Sequence, residues 1–292
     1  MSSLETLQKK IKTTTDLRDI VSTMKSLSSV SILQYDEAAL SLKGYRKNIR
    51  DAFHALLKCR PMPSQPKQRP GQTLVIVIGS DNGLVGRFNK EILEQAQNSL
   101  SERGVSKQDA LFLTVGKRVA VLAENARVNL FAKYAISNSI KFVSSLSGTI
   151  IMRIYEAMQK HKVTQVEVFF HKREQGTSVS LEKIVLLPFS NRIFQELKKK
   201  PWKTNNVPLV TLPTDTLVEE LIKEYLMIAV SSALTYSLAA EHHTRMINMQ
   251  NAEKNIDERL EAFNQEYQQK RQDSITEELI DVVSGSEAIK KK

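Results

Sequence analysis

The sequence is short of nearly everything a compact enzyme uses for chemistry. It has one cysteine, Cys59, which excludes an internal disulfide framework and fits a reducing compartment. Cys59 stands beside Arg60 and Pro61 with no base near it in sequence, so it reads as a structural or exposed thiol rather than a nucleophile. The five histidines, His54, His161, His171, His242 and His243, include no pair at the i, i+4 spacing of a helical metal site. No G-x-S-x-G elbow occurs, nor G-x-G-x-x-G, nor a G-K-[ST] phosphate loop. Aromatics make up only 6%, few for a large globular core and usual for helical rods. No stretch reaches the ~18 consecutive apolar residues of a membrane span. The residues present no catalytic constellation, and a cofactor is expected at none of them.

Proline and glycine are also missing where they matter most. From Thr214 to Ser284 there is neither. A continuous helix there would run on the order of 100 Å, against ~11–12 residues for an average helix. Such a helix is expected to project and to need a partner. Met249, Ala252, Ile256, Leu260, Phe263 and Tyr267 advance by three or four, and Ile275, Leu279 and Val282 resume the stripe. That narrow seam is the pattern of a two-stranded coiled coil. Gly285 sits where the helix could end, before Lys290 to Lys292.

The other end of the chain offers the partner. Ser2 to Cys59 contains no proline and one glycine, Gly44. Leu4, Leu7, Ile11, Thr14, Leu17, Ile20, Met24 and Leu27 keep the same spacing with one slip near Thr14. Ala38, Leu42, Tyr45, Ile49, Phe53 and Leu56 continue it. Residues 2–31 alternate polar and apolar and lack an apolar h-region, so no signal peptide is expected.

The net charge is +10, with basic residues concentrated at the chain ends: Lys9, Lys10 and Lys12, and Lys290 to Lys292. Nucleic acid, an anionic membrane surface and an acidic protein are the partner classes this balance suits. No helix-turn-helix, zinc-finger or RNA-binding signature is present, so no nucleic acid is expected.

Between the ends the period changes. Pro61, Pro63, Pro66 and Pro70 mark a linker. Leu74 to Ile78 reads as a strand buried on both faces, followed by the turn Gly79 to Gly83 and a helix over 90–103. Ala110 to Val115 is a second strand and 117–126 a helix. A further helix spans 149–161, then come strands at Val166 to His171 and Val179 to Leu187. Pro201, Pro208 and Pro213 mark the second linker. Strands alternating with helices imply a mostly parallel, three-layer sheet. The fold class is therefore α/β: a long antiparallel coiled coil of N- and C-terminal helices, with an inserted three-layer, Rossmann-like α/β domain. The expected divisions are 1–60 and 214–292 for the coiled-coil helices, 74–200 for the α/β domain, and 61–73 and 201–213 for the linkers.

The stretch Ser80 to Asn89, SDNGLVGRFN, follows a strand and opens toward a helix, where ligands of α/β sheets bind. Its plainer reading is a tight turn whose glycines supply positive φ, with Asp81 as a turn-former. Three architectures stay open on the residues alone: a helical shaft working inside a larger assembly, a free coiled-coil scaffold with an α/β head, and an α/β enzyme with a ligand at Ser80 to Asn89.

Three motifs favour the first. Met24-Lys25 lies on the first helix, in a stretch beginning SLETLQKKI; SDNGLVGRFN follows the first strand; SLAAEHHTRMINMQNA (Ser237 to Ala252) and RQDSITEELIDVVSG (Arg271 to Gly285) close the chain. Together they resemble the gamma subunit of F-type ATP synthases, the rotor shaft, over essentially the whole length. Asn82, Val85 and Arg87 stand where the family more often has Arg, Cys and Gly. Ser26-Leu27-Ser28 replaces Met-Val-Ala, and Glu277 replaces Gln. These departures are similar to the alternate, N-type branch, some members of which are linked to sodium transport. The resemblance implies a non-catalytic subunit without cofactor, on the cytoplasmic face of a bacterial inner membrane and not inserted in it. Its helices would stand inside a ring of alpha and beta subunits, and its α/β domain on epsilon and the c ring. It implies coupling contacts at Met24 and Lys25, with Glu241 and Arg245 on the opposite helix, and upper-shaft contacts at Arg271, Gln272 and Thr276.

Overall fold

The computed structural model describes residues 3–59, 71–137, 139–174, 178–189, 196–202, 206 and 208–290. Most of the expected first linker lies outside them. Helix α1 spans Ser3–Cys59 and passes through Gly44, where no other atom lies near enough to contact an added Cβ. The elements β1 (Gln72–Ile78), α2 (Phe88–Ser101), β2 (Leu111–Val115), α3 (Lys117–Asn125) and β3 (Leu130–Tyr134) follow. Then come α4 (Ile140–His161), β4 (Val163–Arg173), β5 (Val179–Leu187) and the closing helix, here α5 (Thr214–Lys290). The closing helix does not stop at Gly285 but continues to Lys290. Helix α4 begins nine residues before the expected start at Thr149, because Val143 and Ser147 extend the buried stripe of Ile150 and Ile154 backward. Strand β3 was not expected; its run Leu130 to Tyr134 is short and half-buried, and little in it marks a strand.

The sheet order is β3-β2-β1-β4-β5, parallel except for β5, which pairs antiparallel with β4 at the edge. Strand alternation divides the core. Leu74, Ile76 and Ile78 face a cluster built with α4, Tyr35 of α1 and Leu226 to Ala239 of α5. Val75 and Val77 face α2 and α3 on the other side, through Ile92, Ala96, Leu100, Val119 and Ala123. A third cluster joins Ile49, Phe53 and Leu56 of α1 to Leu221 of α5 and to Leu197.

The compact units cut across the expected divisions. One comprises residues 29–245, the other residues 1–28 with 246–292. The reason lies in burial: 29–59 and 214–245 belong to the body because Tyr35, Leu226, Ala233, Leu234 and Leu238 are in its core.

The second unit is a helix pair. Its cross-contacts run Gln8 to Tyr267, Lys10 over Phe263, Arg18 to Asp257 and Lys25 to Glu253. As the α1 numbers rise the α5 numbers fall, so the pairing is antiparallel. On α5 the seam is as expected from Met249 to Tyr267, with Met249 and Leu260 buried. On α1 it holds at Leu4, Leu7, Ile11, Thr14 and Met24 but not between or beyond. Leu17, Ile20 and Leu27 are 50%, 56% and 64% exposed, and the covered positions after Thr14 are Thr15, Val21, Ser22, Met24, Lys25 and Ser28. From Thr15 to Ser28 the α1 sequence carries two stripes. Mostly small and polar residues take the inner one, where Lys25 can reach Glu253, and Leu17, Ile20 and Leu27 take the outer one.

Candidate functional site

The turn after β1 uses its polar groups to build itself. The Asn89 side-chain oxygen accepts from the Ser80 backbone N–H at 2.8 Å, and the Asn89 amide donates to Ser80 Oγ at 2.8 Å. Asp81 Oδ1 accepts from the N–H of Lys117 at 2.8 Å and of Ile136 at 3.0 Å. Lys117 opens α3, so the carboxylate satisfies a donor at a helix N-terminus and also favours the positive end of its dipole. Asp81 therefore ties the end of β1 to the start of α3 and the chain beyond β3. Both bonds fall on Oδ1, while Oδ2 lies 3.9 Å from Lys117 Nζ, so the carboxylate serves as a structural clamp. Gly79 is obligatory here: an added Cβ would lie 2.4 Å from Asn89 Oδ1. Gly116, at φ +118, would bring a Cβ within 2.8 Å of the Ser80 nitrogen.

The middle of the turn is bent further. Leu84 has φ +64 and Gly86 φ +57. A left-handed leucine costs of order 1 kcal/mol or more and persists only where its surroundings hold it. Val85 is buried beside it, packed with Phe88 and Ala240.

Ala240 belongs to the motif at the closing helix, and the neighbouring residues continue the contact. Ser237 Oγ donates to the Ile78 carbonyl at 3.4 Å. Arg245 Nη2 donates to Glu241 Oε1 at 2.5 Å, its Nε lies 3.4 Å from the Gly83 carbonyl, and its Nη1 lies 3.4 Å from His242 Nδ1. The Glu241 and Arg245 side chains are only 1% and 5% exposed. Burial pushes the Glu241 carboxyl upward, Arg245 pulls it down, and Asp81 adds to the rise. Tyr35 stacks on His242 with ring centres 5.5 Å apart, its hydroxyl pushed up to about 12 by burial and by Glu241. His242 is pushed down to about 4 by burial and Arg245. His171 stacks on Phe88 at 3.7 Å and is pushed down to about 3 by burial. Both His171 ring nitrogens, the Tyr35 hydroxyl and Glu241 Oε2 are buried without a hydrogen-bond partner among the described residues.

Of the residues expected to meet partners, Glu241 and Arg245 are thus turned toward each other inside the body. Met24 and Lys25 lie in the helix pair, half-buried, with Lys25 ion-paired to Glu253. Arg271, Gln272 and Thr276 are exposed on α5, and Thr276 Oγ1 donates to the Gln272 carbonyl at 2.9 Å. Ile275, Leu279 and Val282 are 48%, 60% and 70% exposed on the same stretch. No three His, Cys, Asp or Glu side chains among the described residues are placed to hold a metal. No helix of the described residues is long and apolar enough to cross a membrane.

A family model described as ATP synthase matches residues 3–289. The chain belongs to the ATP synthase family. Its relatives are gamma chains: that of Geotalea uraniireducens is 27% identical over 99% of this chain and all of the relative. The gamma chain of a Wolbachia strain from Drosophila simulans is 26% identical with the same coverage. The fold is also that of a solved chain in the mitochondrial ATP synthase of Euglena gracilis (OSCP/F1/c-ring). The TM-score there is 0.63 at 17% identity, covering 98% of this chain and 94% of that one. A chain of the Tetrahymena thermophila central stalk and c ring gives 0.55 at 19% identity, covering 80% and 99%. As a gamma chain the protein is a non-catalytic central-stalk subunit of a rotary ATP synthase. The scaffold and enzyme readings of the sequence fall away on that membership.

The residues missed in the sequence are those that join two motifs. SDNGLVGRFN and SLAAEHHTRM lie against each other. The available signal was Ala239-Ala240, small residues in a helix where close approach to backbone is possible, followed by an Arg at i+4 from Glu241.

Proposed function

We propose that this chain turns as an asymmetric shaft. Its helix pair stands inside a ring of alpha and beta subunits, and its α/β body bears on epsilon and the c ring. Rotation then couples ion flow in the membrane sector to ATP synthesis or hydrolysis on beta. The observation that carries this reading is the exposed apolar stretch of α5. Ile275, Leu279 and Val282 stand out from a helix that pairs with α1 through Tyr267. Exposed leucines, isoleucines and valines at that density mark a surface that another protein covers. A sleeve of subunits around the shaft supplies the cover.

Arg271, Gln272 and Thr276 then meet the upper ring, and Met24 and Lys25 meet acidic segments of beta, as cations and thioethers meet carboxylates and apolar edges. Glu241 and Arg245 enter the contact through the turn they hold. The complex sits peripherally at the cytoplasmic face of a bacterial inner membrane. Asn82, Val85 and Arg87 support membership of the N-type branch, and with it a c ring that can be sodium-linked.

The test is to purify the tagged chain from its own cells and to assay Mg-ATP hydrolysis. Alpha and beta should come with it, and activity should fall when the segment after Arg271 is removed. Recovery of the chain alone, or hydrolysis indifferent to the truncation, would refute the reading.

A further inference from the structure

Three contacts of α5 with the β1 end, at Ser237, Ala240 and Arg245, fall within about two turns of the helix. Ser237 holds the last carbonyl of β1, Ala240 receives Val85 and Phe88, and Arg245 reaches the Gly83 carbonyl. Two residues before Gly83, Asp81 holds α3 and the chain beyond β3. Beside the direct packing of Leu226 to Ala239 on the sheet, a polar path from the helix to α3 and to the chain beyond β3 therefore runs through Gly83, Asn82 and Asp81.

Two features make this more than ordinary packing. Arg245 and Glu241 are buried ions, and burying both costs desolvation that a surface pair would not meet. A turn that needed only to close could use glycine at each left-handed position, yet Leu84 takes one of them at φ +64. The pair sits under the strained turn and points into it.

We infer that Glu241 and Arg245 are positioning residues, an internal latch that fixes the Asp81–Gly86 turn to the closing helix, whose Leu226 to Ala239 already pack on the sheet. Glu241 fixes the guanidinium in place, and the guanidinium holds the Gly83 carbonyl. A latched turn keeps its place on the helix under load; an unlatched one yields. The mechanical part of this inference rests on the shaft reading above, while the latch itself stands on the geometry of the single chain.

Arg245→Lys separates the latch from a mere buried ion pair. Lysine keeps the cation for Glu241 but is shorter and gathers its donors on one nitrogen, so it does not reproduce the planar fork whose Nη2 meets Glu241 and whose Nε meets Gly83. Hydrogen exchange of the full chain is then read at the Ser80 and Phe88 amides, whose acceptors are Asn89 and the Val85 carbonyl. The latch requires both to exchange about tenfold faster in Arg245→Lys, with the later amides of α2 unchanged. Adding Leu84→Gly should restore protection, because glycine adopts that φ freely. Unchanged exchange in Arg245→Lys, or no rescue by Leu84→Gly, overturns the inference. If Arg245→Lys does not fold, Ser237→Ala must loosen the same two amides, and failure to do so is equally fatal. In the assembled complex, Arg245→Lys should lower the ions pumped per ATP while hydrolysis continues. An unchanged ratio beside faster exchange would remove the mechanical role and leave the shaft reading untouched.

Discussion

The α/β body and the helix pair are made of the same chain but are stabilised differently. The body closes on itself. Both faces of its sheet are buried, and the polar ends of β1 are bonded to Asn89, Lys117 and Ile136. The pair has a single seam with few fully buried residues, Leu7, Ser28, Met249 and Leu260. Its cross-links are exposed ion pairs such as Arg18 to Asp257. Its leucines at 17 and 27 face outward. One part carries its own core; the other displays apolar surface whose cover must come from elsewhere. That is what a shaft seated in a ring requires, since the working surface cannot also be the core.

The sharpest way to break the comparison is to remove equal volumes from each part. Ile76→Ala, in the sheet centre, should cost about 3–5 kcal/mol in urea unfolding followed by circular dichroism. Leu260→Ala, in the seam, should cost less than half as much, because a two-helix seam surrounds it with fewer side chains than a sheet core and can close over the cavity. Equal losses would erase the distinction. Next comes Asp81→Ala, which strips the acceptor from two backbone donors and should cost about 2 kcal/mol by the same assay.

His171 gives a smaller effect that depends on pH. Its folded pKa is depressed to about 3, so the native state binds fewer protons than the unfolded state between there and about 6.5. The stability this group contributes is whole above that range and drains away as pH falls through it, by up to about 1.4 kcal/mol per unit. His171→Phe should flatten the acid limb of the stability curve, read as Tm from pH 7 to pH 4; an unaltered limb would mean the ring is already charged. The least effect belongs to the pair: Lys25→Ala should lower the stability of the isolated chain by no more than about 1 kcal/mol, read in thermal unfolding, since a single ion pair that water still reaches contributes little.

What the sequence made legible followed the strength of its periodicities. The absence of Gly and Pro from 214 to 284, and the seam from Met249 to Tyr267, place the closing helix without ambiguity, and Leu74 to Ile78 places the central strand. The inner face of α1 was not legible. Leu17, Ile20 and Leu27 keep heptad-like spacing as well as the residues that face the partner helix do, so apolarity alone chooses the wrong stripe; the ion pair of Lys25 with Glu253 decides it. Strand β3 was missed because Lys133 and half-burial dilute its pattern. The turn motif was legible as a turn, with Asp81 as its former. Its attachment to Ser237, Ala240 and Arg245 was not, because pairing residues 83 and 245 requires the three-dimensional path of the chain.

The most direct test of the account compares hydrogen exchange of the chain alone with that of the chain in its purified complex. The account requires amides of 271–284 to slow at least about tenfold on assembly, while those of β1 keep their rates. Unchanged exchange at 271–284, with alpha and beta bound, would contradict the claim that the exposed apolar end of α5 is the surface the ring covers.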